Sequence, residues 1–123
     1  MDLEARAEEA FRRAAAQDGD GFAAMFASEA RIKQNFGEEM DLATALGWVH
    51  GLWDAGIRSS YENVRRVVGA DVVVEQHLVR LTRASDGLEV ESDVCVVMRF
   101  DEAGLIVRID EYADPTPLQV LAS

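Results

Sequence analysis

The chain has 123 residues, 49% hydrophobic and 28% charged, which is enough for one ordinary buried core. A formal net charge of -11 argues against nucleic acid and against an anionic membrane surface, because both are bound by cations. A lone cysteine, Cys95, excludes an internal disulfide. The longest apolar runs are too short to span a bilayer, and the acidic start MDLEARAEEAF is no signal peptide, so a cytoplasmic location is expected.

Residues 3–17 carry a helical stripe of Leu3, Ala7, Ala10, Phe11 and Ala14, with Glu8–Arg12 and Glu9–Arg13 at i,i+4 spacing on the other side. Asp18-Gly19-Asp20-Gly21 breaks that pattern. A short second helix is expected over residues 22–28, presenting Phe22, Met25 and Phe26 as core or pocket wall. A short strand follows over residues 31–36. Its two faces are Ile32, Gln34 and Phe36 against Arg31, Lys33 and Asn35, and either can look inward. Asp41 caps a third helix, residues 42–55, which Gly56 ends. Trp53 lies on that helix's apolar stripe and Trp48 beside it.

From Ile57 the hydrophobic period changes to two. Strands are expected over residues 58–68, 72–83, 88–100 and 105–113, joined by turns short enough to force antiparallel pairing. Pro115 and Pro117 close the sheet and begin a short tail. Helices first and a strand meander afterwards predict a single α+β domain over residues 1–123. Both faces of the middle strands carry apolar residues, which predicts a homodimer through the outer sheet face, with Tyr112, Asp93 and Asp110 on that side.

Three ionisable residues interrupt the apolar strand faces. Glu75 and His77 lie in line with Val73, Val79 and Leu81; Glu111 lies in line with Leu105, Val107, Ile109 and Ala113. A carboxylate placed this way needs a partner or a pocket. Desolvation there raises its pKa toward the range useful for general acid or base work. Glu75 and His77, two apart on one face, can form a pair that orients a water. There is no glycine motif for phosphate and no His/Cys cluster, and His50 with Asp54 makes too few ligands for a metal. No cofactor or metal is implied.

The chain also resembles the nuclear transport factor 2-like superfamily, known too as SnoaL-like or ketosteroid isomerase-like. Within it, the pattern is most similar to limonene-1,2-epoxide hydrolase. The matching pieces are Phe11 and the alanines after it, Asp20, Phe26-Ala27, Gln34-Asn35, Gly51-Leu52-Trp53, and the ending Ile106 through Glu111-Tyr112-Ala113-Asp114. The resemblance implies a cone-shaped α+β fold, N-terminal helices packed in a curved, mostly antiparallel sheet around a deep pocket. It matches Asn35 to the hydrolase's water-holding Asn and Glu111 to its final-strand Asp. Lys33 stands where that family has Tyr, and the Arg-x-Asp pair falls on Glu75/His77 or His77/Val79. The resulting expectation is a cofactor-independent hydrolase, isomerase or cyclase acting on a small hydrophobic metabolite. Its catalytic residues would be Glu111, His77 and Asn35, with Glu75, Lys33, Trp48, Trp53, Phe22 and Phe26 binding substrate. The alternatives are a non-catalytic ligand-binding domain and a dimerisation domain of the same fold.

Overall fold

A computed structural model describes residues 1–122. The elements in chain order are α1 (Leu3–Ala15), α2 (Gly19–Ala23), β1 (Phe26–Gln34), β2 (Met40–Asp41), α3 (Leu42–Asp54), β3 (Ile57–Val68), β4 (Val72–Arg83), β5 (Glu89–Phe100), β6 (Ile106–Ala113) and α4 (Thr116–Ala122). The six strands form one open sheet in the order β2-β1-β6-β5-β4-β3. All neighbours are antiparallel except β1 and β6, which run parallel. Helices α1 and α3 pack on the inner face, and the core gathers Ala7 and Ala10 of α1 with Val73, Val94, Val96, Met98 and Ile106 of the sheet.

Local chemistry sets the element ends. The side chains of Asp2, Asp18 and Asp41 accept hydrogen bonds from the amides of Ala5, Gly21 and Thr44, satisfying a donor that each helix start leaves open. Gly56 follows α3 with φ +79°, a left-handed stop that a side chain would resist. On α1, Glu9 takes both Arg12 and Arg13. Glu8 instead approaches Arg66 on β3, at 3.9 Å.

The structure departs from the sequence expectations in four places. Because Asp18 caps α2, that helix lies over Gly19–Ala23 rather than 22–28. Phe26 already belongs to β1, where backbone pairing with β6 outweighs the weak propensity of a one-turn helix. Residues 116–122 form a helix instead of a plain tail. Asp114 accepts from the Thr116 amide, and a proline is tolerated in a first turn, where amides have no intrahelical partner.

The other two departures are β-bulges, which break the alternation. In β3, Glu62 faces Leu78 and Arg65 faces Gln76, so Asn63 and Val64 together oppose His77, with Asn63 at φ +55°. Tyr61 and Arg66 therefore share the inner face although they stand five positions apart. In β6, Phe100 faces Ile106 and Arg99 faces Arg108, leaving Val107 extra. Ile106 thus enters the core in place of Leu105 and Val107, while Ile109, Glu111 and Ala113 keep the inward side.

One row across the inner face joins five strands. Gln34 pairs with Glu111, Glu111 with Val96, Val96 with Glu75, and Glu75 with Arg66. Five strands thus place two glutamates in line, two strand spacings or about 10 Å apart.

Candidate functional site

Between the sheet and the helices lies a cavity of about 220 Å³. Aromatic rings from several elements make its walls: Phe11 of α1, Phe22 of α2, Phe26 of β1, Trp48 and Trp53 of α3, and Tyr61 of β3. Phe22 and Phe26 meet edge to face, with centroids 5.1 Å apart. Trp48, Phe36 and Asp114 are the exposed members of the lining and mark its opening; Pro115, Pro117 and Leu118 of the C-terminal segment also line it. The polar groups of the lining are Gln34, Ser59, Tyr61, His77, Ser92, Glu111 and Asp114. Among the described residues no lysine or arginine contributes.

Glu111 projects from β6 into this apolar space. Its Oε1 accepts a hydrogen bond from Gln34 Nε2 at 3.2 Å. Burial pushes its carboxyl above the ordinary range; the Gln34 bond and the nearby His77 only partly oppose that. Tyr61 is also raised, first by burial and then by the nearby charge of Glu111, with a hydrogen bond to Ser59 working the other way. It therefore stays a neutral hydroxyl.

His77 sits between rings. Its imidazole lies 5.1 Å from Phe11 and 4.8 Å from Tyr61, centroid to centroid. Its Nδ1 is 2.5 Å from Glu75 Oε2, and Glu75 Oε1 accepts from Arg66 Nε at 2.6 Å. Glu75 is wholly buried and does not line the cavity. It stands behind His77, so the sequence expectation of a substrate contact is corrected: the Asn63 bulge brings Arg66 inward opposite Glu75, and Arg66 and His77 take up the carboxylate.

Asn35 and Lys33 are corrected in the same way. The inward face of β1 is the one carrying Ile32 and Gln34, which places Lys33 on the opposite side, near Asp110. Asn35 follows the strand end and ties β1 to β6. Its backbone N–H donates to the Glu111 carbonyl at 2.8 Å, and its side-chain Oδ1 accepts from the Ala113 backbone N–H at 2.9 Å. Asp110 pairs with Arg108 on the outer face, at 2.8 and 2.9 Å. The structure brings Glu111, His77, Trp48, Trp53, Phe22 and Phe26 to one cavity and adds Gln34 and Tyr61 to them. Gln34 was detectable as the polar member of a face with Ile32 and Phe36. Arg66 carried no such signal, since regular alternation does not place it with Tyr61. Among the described residues no cluster of three or more His, Cys, Asp or Glu side chains could hold a metal, and no helix is long and apolar enough to cross a membrane.

A curved open sheet around helices, with an apolar cavity whose polar groups come from the strands, defines a cone-shaped α+β domain. The chain belongs to the SnoaL-like domain family, whose model matches residues 7–109. No curated protein matches it by sequence. Among solved structures it is similar to a candidate polyketide cyclase from Xanthomonas campestris pv. campestris, at TM-score 0.85 and 13% identity over 98% of this chain and 96% of that one. It is also similar to an LEH-like epoxide hydrolase of M. tuberculosis, at TM-score 0.80 and 14% identity over 96% and 86%. An NTF2-like protein from Burkholderia xenovorans LB400 gives TM-score 0.76 and 16% identity over 98% and 95%. At these identities the likeness concerns the fold.

Proposed function

We propose that this protein is a cofactor-independent acid–base enzyme acting on a small, uncharged, mostly apolar substrate. The observation that carries the reading is Glu111: a carboxyl in an aromatic-walled cavity, held by an amide rather than a cation, with its pKa raised by burial. Such a carboxyl is suited to giving a proton to a substrate oxygen. His77 takes the complementary proton from a water or a carbon acid. Tyr61, a neutral hydroxyl on the same wall, donates a hydrogen bond to the substrate oxygen as charge builds on it. One proton enters the imidazole as one leaves Glu111, so the net charge of the site is unchanged across the step. The lack of lysine and arginine in the lining disfavours carboxylate and phosphate substrates. Epoxide opening and aldol-type cyclisation both fit these roles, and proteins described as an LEH-like epoxide hydrolase and a candidate polyketide cyclase share the fold.

The test is Glu111→Gln, assayed on a panel of small terpenoid epoxides and polyketide esters. The variant should fold normally and lose about 10²–10⁴-fold in turnover of whichever compound is converted. Unchanged turnover defeats the assignment. Ligand-induced thermal stabilisation with no product, in both forms, supports the binding-domain alternative instead. In the same reading the outer sheet face, where Val64, Val67 and Tyr112 are exposed, meets a second copy of the chain. A dimeric mass at micromolar concentration is expected by sedimentation, and a monomer counts against it.

A further inference from the structure

The inner-face chain from Arg66 through Glu75 to His77 has a chemical direction. Arg66 can only donate, so Glu75 Oε1 is an acceptor. With a guanidinium 2.6 Å from Oε1 the carboxylate is held in its charged form, so its other oxygen, Oε2, is an acceptor too, and it meets Nδ1 at 2.5 Å. Nδ1 must then carry the proton. A neutral imidazole protonated at Nδ1 has a bare lone pair at Nε2. Among the described residues nothing hydrogen-bonds Nε2. It is not sealed in either, since no buried side-chain nitrogen or oxygen of the described residues lacks a partner, and His77 lines the cavity. The side chain is 2% exposed, Glu75 is 0% and Arg66 is 14%, so the arrangement is shielded from competing water.

We infer that Arg66 and Glu75 are positioning residues that hold His77 in its Nδ1–H tautomer, making Nε2 the proton acceptor that the cavity offers to a bound hydroxyl, water or carbon acid. The tautomer follows from the Arg66–Glu75 ion pair and its contact with Nδ1; its use in turnover rests on the acid–base reading above. When Nε2 takes a proton, the imidazolium keeps its Nδ1–H bond to Glu75, whose negative charge offsets the new positive one. Arg66 keeps the arrangement one-directional. By occupying one carboxylate oxygen as a fixed donor, it leaves the other free for the ring.

The substitution Glu75→Gln tests this sharply. A glutamine has one acceptor atom, and Arg66 claims it because a guanidinium cannot accept. The amide NH₂ then faces Nδ1 and forces the lone pair there, moving the proton to Nε2. The measurement is long-range ¹H–¹⁵N spectroscopy of the neutral ring in a His50→Gln background, where His77 is the sole histidine. The native protein should show protonated Nδ1 and bare Nε2. Glu75→Gln should show the reverse, and Arg66→Lys, which keeps a cationic donor, should retain the native pattern. Protonated Nε2 in the native protein, or an unchanged tautomer in Glu75→Gln, overturns the inference. Should Glu75→Gln fail to fold, the native spectrum decides alone. With a converted substrate, Glu75→Gln should lower kcat by about 10²–10⁴-fold with little change in KM, as expected when an acceptor is lost and binding is not. If Glu111→Gln leaves turnover unchanged while His77 keeps the Nδ1–H tautomer, the enzyme reading fails and the tautomer assignment stands.

Discussion

Glu75 and Glu111 occupy the same row of the same sheet, separated only by Val96, and their environments differ at the two ends of that row. Glu75 meets a guanidinium on one side and an imidazole above it. Glu111 accepts a hydrogen bond from the neutral amide of Gln34 and lies among mostly apolar walls, with His77 and Tyr61 nearby. The contrast teaches that burial alone does not decide what an inward carboxylate does. A buried carboxylate with a cation becomes a fixed acceptor that orients its neighbours, whereas one with only an amide has its proton affinity raised.

The comparison can be broken most severely at Arg66. Arg66→Met leaves Glu75 buried without its cation and should destabilise the fold by about 3–5 kcal/mol, read from the midpoint of urea unfolding. A loss under 1 kcal/mol would show that Glu75 does not depend on the pair. A second probe uses pH. The native carboxyl of Glu111 lies above the ordinary range, so the folded state holds a proton that the unfolded chain releases earlier. The stability it contributes is present at low pH and lost as pH rises through the native value. Glu111→Gln has no such titration, so its melting temperature relative to the native protein should climb from the ordinary carboxyl range upward and then level off. A constant difference across that range would contradict the burial of Glu111. The smallest effect belongs to Gln34→Leu. Deleting that one hydrogen bond should cost about 0.5–1.5 kcal/mol and move the Glu111-dependent limb of the pH–rate profile to higher pH, because the Gln34 bond is the larger of the two influences, with His77, that lower the carboxyl's pKa. A shift to lower pH would mean that another group holds Glu111.

Much of this fold is legible in the chain. Helix α1, helix α3 and the four long strands follow from hydrophobic period, capping aspartates and turn residues, and the same patterns mark Glu111 and His77 as polar groups on apolar faces. What escapes has identifiable causes. Period-two reasoning assigns Leu105 and Val107 inward, and the bulge at Val107 sends Ile106 there instead. It has no means of joining Arg66 to Glu75, because the join depends on the extra residue in β3. Alternation alone leaves the inward face of β1 open. The resemblance pointed to Asn35, whereas the backbone of β6 takes that side chain for its own pairing. The last helix is hidden by two prolines, Pro115 just before it and Pro117 in its first turn, the places where a helix tolerates one.

The bulge at Asn63 and Val64 also bears on how this chain tolerates changes of length. In a regular strand, adding or removing one residue turns every later side chain to the other face. Here Glu62 opposes Leu78 on one side of the bulge, and Arg65 and Arg66 oppose Gln76 and Glu75 on the other. Removing Asn63 would bring these two stretches into one continuous register with every one of those partnerships preserved. The middle of β3 is thus a place where the sequence can lose a residue, and the sheet some of its bend, without exchanging its inside for its outside.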